Sequence, residues 1–360
     1  MKALVALADG TVFTGDSVGA RGESLGEMVF NTSMTGYQEI LTDPSYAGQM
    51  IAMTYPLIGN YGVNPEDEES DRPHVRGFLM KECCRRPSSH RARQSLPEYL
   101  EERGVIGVEG IDTRELTRRV RIEGVMNAAI STEDLDPQSL VRKAQAWAGL
   151  EGVDLVAEVT CQAPYEAAPV DPRFHVVAFD FGIKRNIVRK LVEEGCRVTV
   201  VPATTTAAQA LALKPDGIFL SNGPGDPRPL HYAIETCRQL VGTRPIFGIC
   251  LGHEILGLAF GARIFHLKFG HRGANQPIRE HATGRILIAA ENHGWGIAAD
   301  GLPDCLEITR LNLNDGCIEG MRHRDLPIFS IQCHPEASPG PHDSFHLFRY
   351  FAELMEKQVA

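Results

Sequence analysis

Between residues 175 and 260, short apolar runs alternate with stretches that are apolar on one side only. HVVAFDF (175–181), RVTVVPA (197–203), GIFLSN (217–222) and PIFGI (245–249) are nearly continuous apolar segments. Segments this short, apolar on both faces, read as strands covered from both sides. Between the first two, IKRNIVRKLVEEG (183–195) places Ile183, Ile187, Val188, Leu191 and Val192 on one helical face and stops at Gly195. Shorter helical patterns follow over 206–213, 229–241 and 251–260. Strand–helix alternation predicts an α/β fold, a doubly wound and mostly parallel sheet with helices on both faces. RILIAA, LEITRLNL and IFSIQC are later strands with few helices between them, and SFHLFRYFAELMEKQ closes the chain as an amphipathic helix.

The first half has another rhythm and predicts a mixed α/β domain. Residues 2–18 read as a hairpin turning at Asp9-Gly10, a favoured two-residue turn. NPEDEESDR (64–72) reads as a solvated acidic loop, and helices are expected over 94–103 and 112–123, the latter capped by Asp112. QAPYEAAPVDPR (162–173) carries three prolines and no apolar period. It is therefore expected to link a domain over 1–161 to one over 174–360.

Composition narrows the function classes. With 36 Lys+Arg against 46 Asp+Glu the net charge is −10, a poor match to nucleic acid, which draws on a basic surface. Nine cysteines, irregularly spaced and without C-x-x-C, argue against a disulfide framework and structural zinc, and fit a reducing, cytoplasmic setting. The start, MKALVALADG, is too short in apolar residues for a secretory leader. Residues 246–265 have the length of a membrane span, but His253, Glu254 and Arg263 interrupt them and Pro245, Gly248 and Gly252 break them; no membrane contact is expected. His342 and His346 have ligand spacing without a surrounding E-x-x-H, so no metal is expected. Cys83-Cys84 reads as thiols without a role.

The chemistry gathers at strand ends. Gly248-Ile249-Cys250-Leu251-Gly252 follows a strand and opens a helix, as in the nucleophile elbow, with Cys in place of Ser. The glycines permit the sharp turn, and the helix N-terminus favours thiolate. By itself the pattern also suits a buried structural cysteine. Ser330-Ile331-Gln332-Cys333-His334-Pro335-Glu336 ends another strand and supplies a general base, His334, with a carboxylate, Glu336, two residues on to orient it. Extended backbone would put both on one side. Ser221-Asn222-Gly223-Pro224-Gly225-Asp226-Pro227 makes a rigid turn after the third strand, with N–H groups for an oxyanion beside that of Leu251. Position 228 is Arg, which excludes a dinucleotide fingerprint, and no G-x-x-x-x-G-K-[ST] occurs. Asn292-His293-Gly294-Trp295 suits a pocket wall or a packed turn equally. A thiolate with His and Glu suits attack on a carbonyl to give a thioester. It does not separate an amidase from an esterase or a peptidase.

In order, SNGPGDP, GICLGHE and HPE resemble the triad-type, class I glutamine amidotransferase domain. FNTSMTGYQEILTDPSYAGQ (30–49), TYPLIGNYG (54–62), GIDTRELTRRVRIEG (110–124), FDFGIKRNI (179–187), KFGHRGANQPI (268–278) and HPEASPGPHDS (334–344) resemble the small chain of carbamoyl-phosphate synthase. The likeness covers nearly the whole chain and is weakest over 79–100 and 130–172.

The resemblance implies hydrolysis of L-glutamine, with ammonia passed through a tunnel to a large partner chain. That partner would use bicarbonate, ATP and Mg to make carbamoyl phosphate for pyrimidine and arginine synthesis. No cofactor is expected in this chain. By motif, Cys250 is the nucleophile, His334 the base and acid, Glu336 its orienting carboxylate, and Gly223 and Leu251 the oxyanion donors. Ser45, Gly223, Gly225, Leu251, Glu254, Asn292, Gly294 and Trp295 would contact glutamine, so both domains would form the site and the first would carry much of the large-chain contact. Glu254 stands where the family usually has Gln, Trp295 where Phe is common and Glu291 where Gln is common. A carboxylate at 254 would hold the substrate ammonium, repel its carboxylate or raise the thiol pKa.

Two other readings compete. One is a glutaminase chain serving another synthase, such as those for anthranilate or guanylate, which has no need of residues 1–160. The other is a catalytically silent glutamine-binding subunit, suggested by Glu254 alone.

Overall fold

The computed structural model describes residues 1–359. Its packing divides the chain into two compact units, Met1–Glu151 with Lys268–Gly273, and Gly152–Leu267 with Ala274–Ala360.

The first unit is built on a closed seven-stranded barrel. Around it run Lys2–Leu7, Val12–Gly19, Ile106–Glu109, Gly77–Leu79, Gln49–Met53, Glu23–Asn31 and Met126–Ser131. Closure leaves no edge strand. The apolar run ALVAL is covered on both faces: Ala3, Val5 and Leu7 pack with Met28, Met50 and Leu79, while Leu4 and Ala6 pack with Leu140 and Ala144 of the helix Pro137–Ala146. The expected hairpin pairs Ala6 with Val12, but its loop differs. Leu7 N donates to Thr11 O, enclosing three residues, because Gly10 takes φ +95° and supplies the left-handed step such a loop needs. Helix Thr113–Glu123 starts on Asp112, whose carboxylate accepts from Glu115 N. The 64–72 stretch is less solvated than expected. Asn64 caps the turn Pro65–Asp67, and Glu69 is buried.

The second unit holds a ten-stranded sheet. Five parallel strands form its heart, in the order Cys196–Pro202, Phe174–Asp180, Gly217–Leu220, Ile246–Ile249 and Ile328–Ile331. The strand Phe174–Asp180 shows why both faces are apolar. Val177 and Phe179 pack with the helices His231–Leu240 and Leu251–Phe260, whereas Val176 and Ala178 pack with Arg185–Glu193 and His346–Val359. The sheet is thus doubly wound, as the alternation implies. Beyond Ile328–Ile331 it continues with antiparallel neighbours, Ile318–His323, Leu306–Asn312 and Ile264–Glu280, where no helices intervene in the sequence. The stretch 162–173, expected as a linker, contains the strand Tyr165–Ala167, antiparallel to Cys196–Pro202 at the sheet edge. Its prolines fall outside the paired residues, where a missing N–H costs nothing. Among the described residues no helix is long and apolar enough to cross a membrane, and all nine cysteines are free.

Candidate active site

Cys250, His334 and the turn carrying Gly223 and Gly225 all follow the carboxyl ends of central parallel strands, where strand order reverses in such sheets. The strand Ile246–Ile249 enters the helix Leu251–Phe260 through Cys250, which holds φ +52°, a left-handed value rare for a residue with a side chain. Neighbouring glycines make the turn possible. A Cβ on Gly248 would lie 2.8 Å from Gly252 O, and one on Gly252 only 2.2 Å from Leu220 O. Cys250 N donates to Ile331 O at 2.9 Å, which ties the elbow to the strand that leads to His334. The thiol is buried and donates to Asn292 O at 3.6 Å.

His334 and Glu336 meet, but through a turn and not through extended backbone. Ala337 N donates back to His334 O, and Glu336 swings round so that its Oε1 lies 2.7 Å from His334 Nδ1. His334 N donates to Ala290 O, two residues from the carbonyl that holds the thiol. With Nδ1 on the carboxylate, Nε2 is the other ring nitrogen, and it is buried without a partner. Burial raises the Glu336 carboxyl pKa, but the Lys184 ammonium and the His334 ring outweigh this and bring it down to about 2. An ionised Glu336 fixes the tautomer in which Nδ1 carries the proton and Nε2 the lone pair.

Lys184 has no counterpart in the residue-level reading. Its ammonium, 3% exposed, reaches Glu336 Oε1 at 3.0 Å and Ala337 O at 2.6 Å. Asn186 Nδ2 adds a bond to Glu336 O at 2.5 Å. The signal available was position. Lys184 follows Gly182 in the turn leaving a parallel strand, whose loop Asp180 fixes by accepting from Gly182 N and Ile183 N.

Gly223 lies where a Cβ would meet Phe181 O at 2.2 Å, so the turn after Gly217–Leu220 tolerates no side chain there. Gly225 holds φ +83°. Leu251 opens its helix, so its N–H has no acceptor within that helix and can serve a ligand. Asn292, Gly294 and Trp295 lie not in a turn but within the strand Ile286–Ile297. Trp295 stacks under the Arg228 guanidinium, whose carbon lies 4.2 Å from the ring centroid. His293 Nδ1 lies 2.6 Å from Trp295 O. Glu254 is buried one turn into the elbow helix, where Gln332 Nε2 donates to it at 3.1 Å. Burial pushes its carboxyl up to about 8. His253 is no rival base, since burial and then the charge of His293 push its ring down to about 3. Ser45 lies in the first unit, buried in the turn Pro44–Tyr46, where its N–H donates to Asp43.

The second unit thus holds a buried thiol at the elbow, a His334–Glu336 pair hydrogen-bonded at 2.7 Å, and N–H donors at the start of a helix. This is an arrangement for acyl transfer through a thioester.

Two family models match the chain: "Carbamoyl-phosphate synthase small chain, CPSase domain" over residues 5–130 and "Glutamine amidotransferase class-I" over residues 177–354. Curated relatives match end to end. A carbamoyl phosphate synthase small chain from Syntrophotalea carbinolica is 57% identical over 99% of this chain and 98% of its own. Those of Synechocystis sp. and Chlorobaculum tepidum are 52% and 53% identical, each over 99% of this chain and over 97% and 98% of their own. The chain belongs to the family of carbamoyl phosphate synthase small chains and carries its class I glutamine amidotransferase domain.

Proposed function

We propose that this chain hydrolyses the side-chain amide of L-glutamine and delivers the ammonia to a large partner chain. That partner, holding ATP and Mg, would make carbamoyl phosphate for pyrimidine and arginine synthesis. The Cys250 sulfur attacks the carboxamide carbon, and its proton passes to His334 Nε2. The oxyanion takes hydrogen bonds from the N–H groups of Leu251 and Gly223. The intermediate collapses to a thioester as His334 returns the proton to the departing ammonia. Water, deprotonated by His334, then cleaves the thioester to glutamate. Gly225, Asn292, Gly294 and Trp295 would line the bound amino acid.

One observation carries this reading. His334 is anchored through Nδ1 to an ionised carboxylate while Nε2 is buried and unpartnered. That is the state a general base needs before substrate enters. The family membership supports the choice of an amide over an ester or a peptide. Purified chain should release ammonia from glutamine, and Cys250→Ala should abolish it with folding intact by circular dichroism. Mixed with the large chain, it should support glutamine-dependent carbamoyl phosphate formation. Absence of ammonia release both alone and with the large chain would leave only the silent glutamine-binding subunit.

A further inference from the structure

Glu254 and Gln332 repeat, one step deeper, the relation between Cys250 and His334. Glu254 lies four residues after Cys250 on the elbow helix, so the two share a face. Gln332 lies two residues before His334. The hydrogen bond from Gln332 Nε2 to Glu254 Oε1, at 3.1 Å, therefore joins the nucleophile's helix to the segment carrying the base. Both side chains are removed from water, at 2% and 0% exposure. Gln332 Oε1, the other end of the amide, is buried with no donor. A carboxylate has no proton to offer that oxygen, whereas a carboxylic acid does. A protonated Glu254 therefore supplies what the amide lacks, and the two groups can then close a doubly hydrogen-bonded pair.

We propose that the Glu254–Gln332 pair is a proton-dependent bolt, with Glu254 a positioning residue that aligns Cys250 with His334 only while its carboxyl carries a proton. The proposal rests on the glutaminase reading of Cys250 and His334 for its activity readout. The surroundings favour the neutral acid. Burial is the dominant influence on Glu254; the single bond donated by Gln332 works against it, and the Asp226 carboxylate, in the turn after Gly217–Leu220, adds to it. Among the described residues no cation is paired with it to offset them: Arg228 is engaged by Asp226, and Lys184 by Glu336. On the helix packed alongside, His231, Glu235 and Arg238 line a surface pocket with Arg228. From the strand Ile286–Ile297, Glu291 and His293 face one another at 3.3 Å, and on its own helix His253 bonds Ser330. Ionisation would place a dehydrated charge beside the elbow and cut one bond of the bolt.

The test is a pH series on the full chain, comparing wild type, Glu254→Gln and Glu254→Ala. Two readouts are followed: kcat/KM for glutamine and the rate of Cys250 alkylation by iodoacetamide. Infrared difference spectra report the protonated carboxyl. The wild type should show a carboxyl band that titrates near pH 8 and is missing in Glu254→Gln. Its kcat/KM should fall about tenfold per pH unit above that point, following one ionisation. The wild-type alkylation rate should fall likewise. Glu254→Gln offers an N–H to Gln332 Oε1 at every pH and should lose that fall, both in kcat/KM and in the alkylation rate. Glu254→Ala has neither bond and should show reduced kcat/KM without that ionisation. Ammonia release with identical pH profiles in wild type and Glu254→Gln would overturn the bolt and leave the glutaminase standing. No ammonia release from any variant, with the difference in alkylation profiles intact, would do the reverse. If Glu254→Ala does not fold, the comparison with Glu254→Gln still decides.

Discussion

Lys184 and Glu336 sit at 3% and 0% exposure, so each charge depends on the other for the solvation that water would give. Replacing one partner leaves the other as an unpaired buried ion. Lys184→Met is therefore expected to cost about 3–5 kcal/mol in urea unfolding. Adding Glu336→Gln should recover part of the loss, a coupling that a double-mutant cycle measures. The same chain holds two buried glutamates with opposite responses to pH. Glu336 is drawn from 4.5 down to about 2, so the stability it contributes is present above pH 4.5 and lost as pH falls toward 2. Glu254 is raised from 4.5 to about 8, so its contribution is full below pH 4.5 and lost as pH rises through 8. Unfolding midpoints measured across pH should show the stability difference between wild type and Glu336→Gln shrinking on the acid side. Relative to Glu254→Gln, the wild type should weaken between pH 4.5 and 8. In sequence the two are the same letter. The Lys184 ammonium, which comes from another strand's turn, separates them, and no reading of HPE could supply it.

At the scale of elements, the elbow is the part the sequence states most fully. A strand, a G-x-C-x-G turn and a helix can be read in line because each is local, and the structure adds only the reason for each glycine. Gly252→Ala would push a Cβ to 2.2 Å from Leu220 O, a backbone atom on a packed neighbouring strand that cannot swing away. It is expected to cost about 1–3 kcal/mol or more and to lower glutaminase activity by displacing Cys250. Gly261→Ala on the same helix is the control. It holds φ +92° with nothing within 4 Å of its Cβ, so the cost is confined to strain of about 1 kcal/mol or somewhat more, and the activity should persist. Thermal unfolding and ammonia release from both variants distinguish these outcomes. The barrel is a different case. Gly77–Leu79 has three residues and Glu23–Asn31 carries Gly26 and Glu27 in its middle, so neither shows a clean period of two. Their pairing is parallel to Gln49–Met53 on both sides and is fixed by residues more than twenty positions away. The run NHGWG was hidden for a related reason. Glycines read as a turn, yet here they sit inside the paired strand Ile286–Ile297.

The chain as a whole cannot be cut at one point, which is why a linker over 162–173 described it poorly. Proline-rich composition marks where a chain bends, not which residues share a core. The first unit recruits six residues from far downstream, Lys268–Gly273. Val125 N donates to Lys268 O at 2.9 Å, Thr32 N donates to Arg272 O at 3.2 Å, and the Phe269 ring stacks on Phe30 with centroids 5.9 Å apart. A fragment of residues 152–360 would keep the parallel strands, the elbow and the triad, but would carry Phe269 and these backbone groups without their partners. Backbone acceptors and an aromatic ring left without these partners in the middle of a strand favour fraying and association. Hydrogen exchange is therefore expected to be faster over 264–280 in that fragment than in the full chain. Exchange over 174–180 and 246–249 should stay close to full-chain protection, because those strands are paired on both sides within the second unit. Equal protection of 264–280 in the two proteins would mean that these six residues gain nothing from the first unit, and that the division of the chain is linear after all.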